Sequence, residues 1–273
     1  MGLPSGGPTT TTESNNMTTT HLVIPDGHAK PSEDLGRFDL LNKFIKDLKP
    51  DVVVNIGDAA DMHSLNTFDK GKGSFHGASY EKDISCAVES FDRTFHKTSK
   101  SMRKVFCTGN HEHRITRVLD QSPELAGETH GVSMGHLQLD KYFDDVVPYE
   151  GAAAGTIVID GIIYAHYLTS GAMGRPISGD NHARSLLLKG HMSATVGHSH
   201  FFDFSTHVDA SGRRMMGLVA GSFKGPKNDA YAGTSARNYW RGVCVKRMVE
   251  DGTYDLQMVS MAQLEQLYGG ESA

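Results

Sequence analysis

Asp51-Val52-Val53-Val54-Asn55-Ile56-Gly57-Asp58-Ala59-Ala60-Asp61 is the stretch whose reading decides the fold. Four of the five residues from Val52 to Ile56 are β-branched aliphatics. A short run of that kind reads as a strand buried on both faces, as in a parallel sheet. Gly57 lets the backbone turn sharply, and Asp58 then projects from the carboxyl end of the strand, the edge where open α/β sheets bind ligands. Two shorter runs finish the same way. His21-Leu22-Val23-Ile24-Pro25 ends in Asp26-Gly27-His28, and Lys104-Val105-Phe106-Cys107-Thr108 ends in Gly109-Asn110-His111-Glu112. The three strands deliver Asp, His and Asn side chains to one edge, which suits an edge that holds two metal ions.

Working outward, Leu35, Phe38, Leu41, Phe44, Ile45 and Leu48 fall at helical spacing. Pro31-Ser32-Glu33-Asp34 reads as the helix start and Pro50 as its stop, so 21–56 is a βαβ unit. Residues 62–79 read as a loop, and Ile84, Val88, Phe91 and Phe95 mark a helix from about Glu81 to Ser99. The polar segment 113–147, helical at Arg114–Asp120, sits where a lid or substrate-selecting insertion could lie. After Thr156 the pattern becomes strand–turn–strand. Asp160-Gly161 is a two-residue turn signal, and the second arm ends in His166. Asn181–Lys189 reads as a short helix with Gly190 as C-cap. Thr195-Val196-Gly197 leads into His198-Ser199-His200, and two hairpins follow, turning near Asp209–Gly212 and at Asp251-Gly252. The carboxyl half is expected to be mostly antiparallel and to pack sheet on sheet with the α/β half. The domain expected is 21–268, preceded by a disordered tail at 1–20 that is rich in Thr, Gly, Ser and Asn.

The 273 residues suffice for a substantial core. The net charge of −5 and the lack of a Lys/Arg block do not announce a nucleic-acid binder. Cys86, Cys107 and Cys244 form no C-x-x-C, which suits free thiols in a reducing compartment. No run is apolar and long enough to span a membrane, so the expectation is a cytoplasmic protein without membrane contact. With 15 histidines in the chain, only their spacing is informative.

Taken in order, Asp26-x-His28, Gly57-Asp58-x-x-Asp61, Gly109-Asn110-His111-Glu112, His166 and Gly197-His198-x-His200 resemble the motif series of the calcineurin-like metallophosphoesterases. The resemblance covers about residues 21–205. It implies an α/β fold in which two packed mixed β-sheets are flanked by helices, an α/β-β/α four-layer sandwich whose second sheet the hairpins after 205 complete. It implies one ion on Asp26, His28, Asp58 and His200, and another on Asp58, Asn110, His166 and His198, with Asp58 bridging. The ions would be Mn²⁺ first, with Fe, Zn or Ni as alternatives; the absence of Cys from the motifs argues against a structural zinc site. The activity implied is hydrolysis of phosphate mono- or diesters by a hydroxide shared between the ions. His111 would assist the leaving oxygen, with Asp61 orienting its ring. Phosphoprotein phosphatases of this superfamily continue the second motif as D-R-G. Here Met62-His63 follow Asp61, which argues against a Ser/Thr phosphatase and leaves Arg114 as a candidate phosphate contact; His63 and His113, near the site by sequence, are further candidates for a substrate role.

Each motif alone has a plainer reading: Gly-Asp after a strand is often only a turn. It is their joint order at strand ends that points to a metal site. His182 and His191 compete with His166 but fit a helix and its cap better. Glu112 reads as a supporting carboxylate rather than a ligand, and Phe201-Phe202 as core. The substrate would be a phosphate ester, with a nucleotide or nucleic acid among the candidates. A nuclease is the alternative function and could draw on Lys70, Lys72, Lys224, Lys227, Arg237 and Arg241 for a basic patch. A catalytically silent binding protein of the same fold is the alternative of a different class.

Overall fold

The computed structural model describes residues 18–31, 33–225 and 233–271. The first half runs β1 (Thr19–Ile24), α1 (Gly36–Leu48), β2 (Val52–Asn55), α2 (Tyr80–Phe95), β3 (Arg103–Cys107), α3 (His113–Gln121), α4 (Leu139–Tyr142) and β4 (Asp145–Val147). Short strands follow: β5 (Tyr149–Glu150), β6 (Ala153–Ala154), β7 (Ile157–Ile159), β8 (Ile162–Tyr164), β9 (Thr169–Ser170) and β10 (Arg175–Pro176). The chain then continues through α5 (His182–Gly190), β11 (Ser193–Val196), β12 (Phe202–Val208), β13 (Arg214–Ala220), β14 (Gly242–Glu250), β15 (Thr253–Ser260) and α6 (Met261–Tyr268).

A six-stranded sheet in the order β15-β14-β1-β2-β3-β4 packs on a five-stranded sheet in the order β12-β13-β11-β8-β7. In the first sheet, β1 to β4 are parallel neighbours, and β14 joins β1 antiparallel. Alternation along each strand divides its side chains between two cores. Val23, Val54, Ile56, Val105 and Cys107 meet Ile162, Tyr164, Leu218 and Ala220 between the sheets. Leu22, Ile24 and Val53 turn the other way, onto Phe38, Leu41 and Ile45 of α1, Cys86 of α2 and Leu264 of α6. On the far side, Ala183 and Leu186 of α5 cover Ala194, Val196 and Val219. The result is helix, sheet, sheet, helix, an α/β fold with both mixed sheets covered.

Several expectations need correcting. The hairpin at Asp251-Gly252 does not complete the second sheet. Its strand β14 pairs with β1 in the first, and Gly242 through Lys246 are all buried because neighbours lie on both sides. The second sheet is mixed, as expected: β7–β8 and β12–β13 are antiparallel, while β11 runs parallel to both β8 and β13. Helix α1 begins at Gly36, where Asp34 Oδ1 accepts the Gly36 N–H at 2.9 Å, and not at Pro31. The residue past α5 in the left-handed conformation is His191 (φ 53°), not Gly190. The 113–147 segment is not a free lid. Leu137, Leu139, Tyr142 and Phe143 pack on Phe91 and Phe106, and β4 extends the sheet. Of the expected tail, residues 1–17 lie outside the described residues. Thr19 and Thr20 belong to β1, and Thr19 Oγ1 donates to Asp160 Oδ2 at 2.7 Å. No helix among the described residues is long and apolar enough to cross a membrane. The three cysteines are buried free thiols.

Candidate metal centre

The motif residues sit where strands end, and the backbone there is bent so that neighbours in sequence aim at one point. His28 (φ 43°), Asp58 (φ 49°), His198 (φ 68°) and His200 (φ 62°) all occupy the left-handed region. For residues with a Cβ, that conformation costs about 1 kcal/mol or more each, and it persists only where surrounding structure enforces it. Here it lets Asp26 and His28, two residues apart, face the same place, as His198 and His200 face adjoining places. The glycines make room. A Cβ on Gly109 would collide with the amide and carboxylate of Asp58, and one on Gly197 with the carboxylate of Asp26.

Glu112 ties the second and third motifs together. Fully buried, it accepts the N–H of Asp58 (3.0 Å), Gly109 (2.9 Å) and Ala60 (2.9 Å). It is a support for the Asp58 turn and stands in none of the three donor clusters, as expected from the sequence.

Two donor clusters lie side by side: Asp26, His28 and His200 in one, and Asp58, His166 and His198 in the other. In the first, His200 Nε2 is 3.2 Å from Asp26 Oδ2 and 3.1 Å from His28 Nε2. In the second, His166 Nε2 is 3.3 Å from Asp58 Oδ2, 3.0 Å from Asn110 Oδ1 and 3.2 Å from His198 Nδ1. All seven ligand candidates named from the sequence therefore meet here. Asp58 Oδ2 also lies 3.9 Å from His28 Nε2, so one oxygen faces both clusters.

The donor set fits a divalent cation. His166 Nδ1 lies 3.0 Å from the Ile56 carbonyl and donates to it, which makes Nε2 of the neutral ring its lone-pair end. That end faces a carboxylate oxygen, an amide oxygen and another imidazole nitrogen. A bound cation, or a proton on one of the rings, would satisfy this convergence of electron-rich atoms. Imidazole with carboxylate and amide oxygen suits borderline divalent ions. His28 Nδ1, 3.1 Å from Asp61 Oδ1, is held in the same way by a carboxylate behind it.

The electrostatics agree. Burial disfavours charge on His166, yet the Asp58 carboxylate beside it raises its pKa to about 9. Burial would raise Asp58 and Asp26, but His166 holds Asp58 well below the usual carboxylate range, and His200 and His166 hold Asp26 below it. Burial, reinforced by neighbouring His166, lowers His198. The cluster is built to keep its carboxylates ionised and to draw positive charge.

His111 sits at the rim, with Nε2 3.8 Å from Asp58 Oδ2. Its Nδ1 donates to the backbone carbonyl of Asp61 at 2.6 Å, while the Asp61 carboxylate is 3.6 Å away and nearer His28. Asp61 thus orients His111 through its main chain and His28 through its side chain. Burial takes His111 down to about 3, so the ring is neutral. Arg114 donates to the carbonyls of Asp61 (2.9 Å) and Met62 (3.2 Å), and Nη2 is 3.1 Å from His111 Nε2. His63 instead faces Asp69 (4.0 Å) and the Phe75 ring. Lys224 is buried, its Nζ 3.0 Å from His200 Nδ1 and 4.6 Å from the centre of the Tyr239 ring. It is a neighbour of a ligand candidate, not part of a surface patch. Lys227 lies outside the described residues. Tyr167, next to His166 in sequence, meets the His166 and His198 rings, and Tyr149 packs on Tyr167; neither tyrosine was among the candidates.

No family model matches the chain, and no curated protein matches it. Among the solved structures that match, one crystal structure aligns with a TM-score of 0.37 at 10% identity, over 89% of this chain and 100% of that one, a likeness too loose to bear on function.

Proposed function

We propose that this protein is a dinuclear-metal-dependent phosphoesterase hydrolysing phosphate mono- or diesters, with Mn²⁺ its first candidate metal and Fe, Zn or Ni next. The observation that carries the reading is Asp58 Oδ2, 3.3 Å from His166 Nε2 and 3.9 Å from His28 Nε2, a single carboxylate oxygen between two ligand groups. When bound, a pair of divalent ions in such a site supplies Lewis acidity toward phosphate oxygens and an activated water. Asp26, His28 and His200 would hold one, Asn110, His166 and His198 the other, and Asp58 both. His111, its Nδ1 proton committed to the Asp61 carbonyl, offers Nε2 at the rim to hold or pass a proton. Arg114, with its Nη2 beside that nitrogen, adds a fixed positive charge for an incoming phosphate. Among the basic residues available to a nucleic-acid groove, Lys224 is buried, which does not favour the nuclease reading.

The test is metal analysis of purified protein, followed by assay of p-nitrophenyl phosphate and bis(p-nitrophenyl) phosphate with added Mn²⁺. Two ions per chain and Mn²⁺-dependent turnover that Asp58→Asn abolishes are expected. Turnover no higher than that of Asp58→Asn would refute the proposal.

A further inference from the structure

Beside the second cluster runs a line of rings that the chemistry above does not use. His198 is 5.1 Å, centre to centre, from Tyr167, and His166 is 5.7 Å from the same ring. Tyr167 meets Tyr149 edge to face at 6.1 Å, and Tyr149 stacks on His113 at 4.1 Å with 8° between planes. The line leads from two ligand candidates to His113, the first residue of α3 and three residues past Asn110. Tyr167 is 8% exposed and donates its hydroxyl to Ala152 O at 3.4 Å, so it is packed as the inner ring. Tyr149 and His113 are partly exposed and form the outer pair, with the Tyr149 hydroxyl itself turned inward.

Resting on the phosphoesterase reading, we infer that the substrate's organic portion is a planar aromatic group that packs on the His113–Tyr149 pair while its phosphate lies at the metal centre. Flat rings offer stacking to any aromatic ester, and each well-stacked base adds a measurable share of affinity. The chemistry shared by the candidates is a phosphate ester carrying a nucleobase or an aryl group. His113 and Tyr149 are then specificity residues, recognising the part of the substrate that does not react.

The test compares adenosine 5′-monophosphate with ribose 5-phosphate, which share a primary sugar hydroxyl as the leaving oxygen and differ by the base, and benzyl phosphate with ethyl phosphate. With Mn²⁺-loaded protein, kcat/KM should favour the aromatic member of a pair by about tenfold. His113→Ala should shrink the ratio toward one, chiefly through KM, and His113→Phe should restore it. Calorimetric binding to metal-free protein should follow the same order without turnover. Preference within the first pair alone assigns the wall to a nucleobase, and preference within both assigns it to aryl groups generally. Equal turnover and equal affinity within both pairs, or a preference untouched by His113→Ala and Tyr149→Ala, would overturn the inference and leave the phosphoesterase reading standing. No turnover of any ester, with aromatic binding still lost in His113→Ala, would overturn that reading and keep the aromatic wall.

Discussion

The carboxylate of Glu112 accepts the backbone N–H of Asp58 at 3.0 Å, inside a pocket where neither group sees solvent. The bridging candidate is therefore held from behind by a residue of the next motif. The same carboxylate also accepts from Ala60 and Gly109, so three main-chain donors depend on it.

Glu112→Gln should expose that dependence. The amide keeps the shape but turns one acceptor oxygen into an N–H donor facing other donors, which costs about 1–3 kcal/mol when buried. Chemical denaturation should show a loss of that size, and metal analysis should show reduced occupancy. Unchanged stability and metal content would mean that the Asp58 turn stands without this support.

Gly109→Ala tests close approach rather than backbone freedom, because the added Cβ meets the amide and carboxylate of Asp58. The ligand must shift, and displacing a support of this kind typically weakens metal binding by about 10–100-fold. Titration of Mn²⁺ into metal-free protein measures it. An affinity equal to that of the parent chain would show that the turn can relax.

His111→Ala separates rim chemistry from metal holding. His111 Nε2 is turned toward Arg114 and the rim, and its Nδ1 is used by the Asp61 carbonyl. Metal content should stay as in the parent, while turnover falls by about 10²–10⁴. Loss of metal in this variant would make His111 a ligand, consistent with its closeness to His28 and Asp61.

His21 predicts an acid-sensitive fold away from the metal centre. Its ring is wholly buried, with Nδ1 2.8 Å from Tyr164 Oη and Nε2 2.9 Å from Asp160 Oδ2. Burial, with Asp160 opposing it and Lys246 assisting, takes its pKa from 6.5 down to about 4. The folded state thus binds fewer protons than the unfolded chain between those values. Stability rises with pH through that window and is lost as pH falls from about 6.5 toward 4. At pH 5 the loss should be roughly 2 kcal/mol relative to neutral pH. Urea denaturation of metal-free protein at pH 7.5 and 5 should show it, and His21→Gln should lose less over the same interval. A variant with the same pH slope as the parent would place the sensitivity elsewhere.

What could be read without coordinates was what neighbours in sequence specify. Val52-Val53-Val54 announced a strand covered on both faces, and Gly57-Asp58 the turn at its carboxyl end. The same logic located Asp26, Asn110, His166 and the His198–His200 pair. The pairing of β14 was not legible: the hairpins after 205 were expected in the second sheet, and β14 instead lies beside β1 in the first. A turn at Asp251-Gly252 says nothing about which sheet edge is free.

By itself, then, the sequence determined which strands are buried and which polar residues stand at their ends, because burial periodicity and turn chemistry act over a few residues. Only the tertiary structure decided that Asp61 turns its carboxylate to His28 and only its carbonyl to His111, that Lys224 lies behind His200, and that Tyr149 reaches the second cluster through Tyr167. Those choices depend on groups from 18 to 50 residues apart, brought together by tertiary packing, and no local pattern encodes that distance.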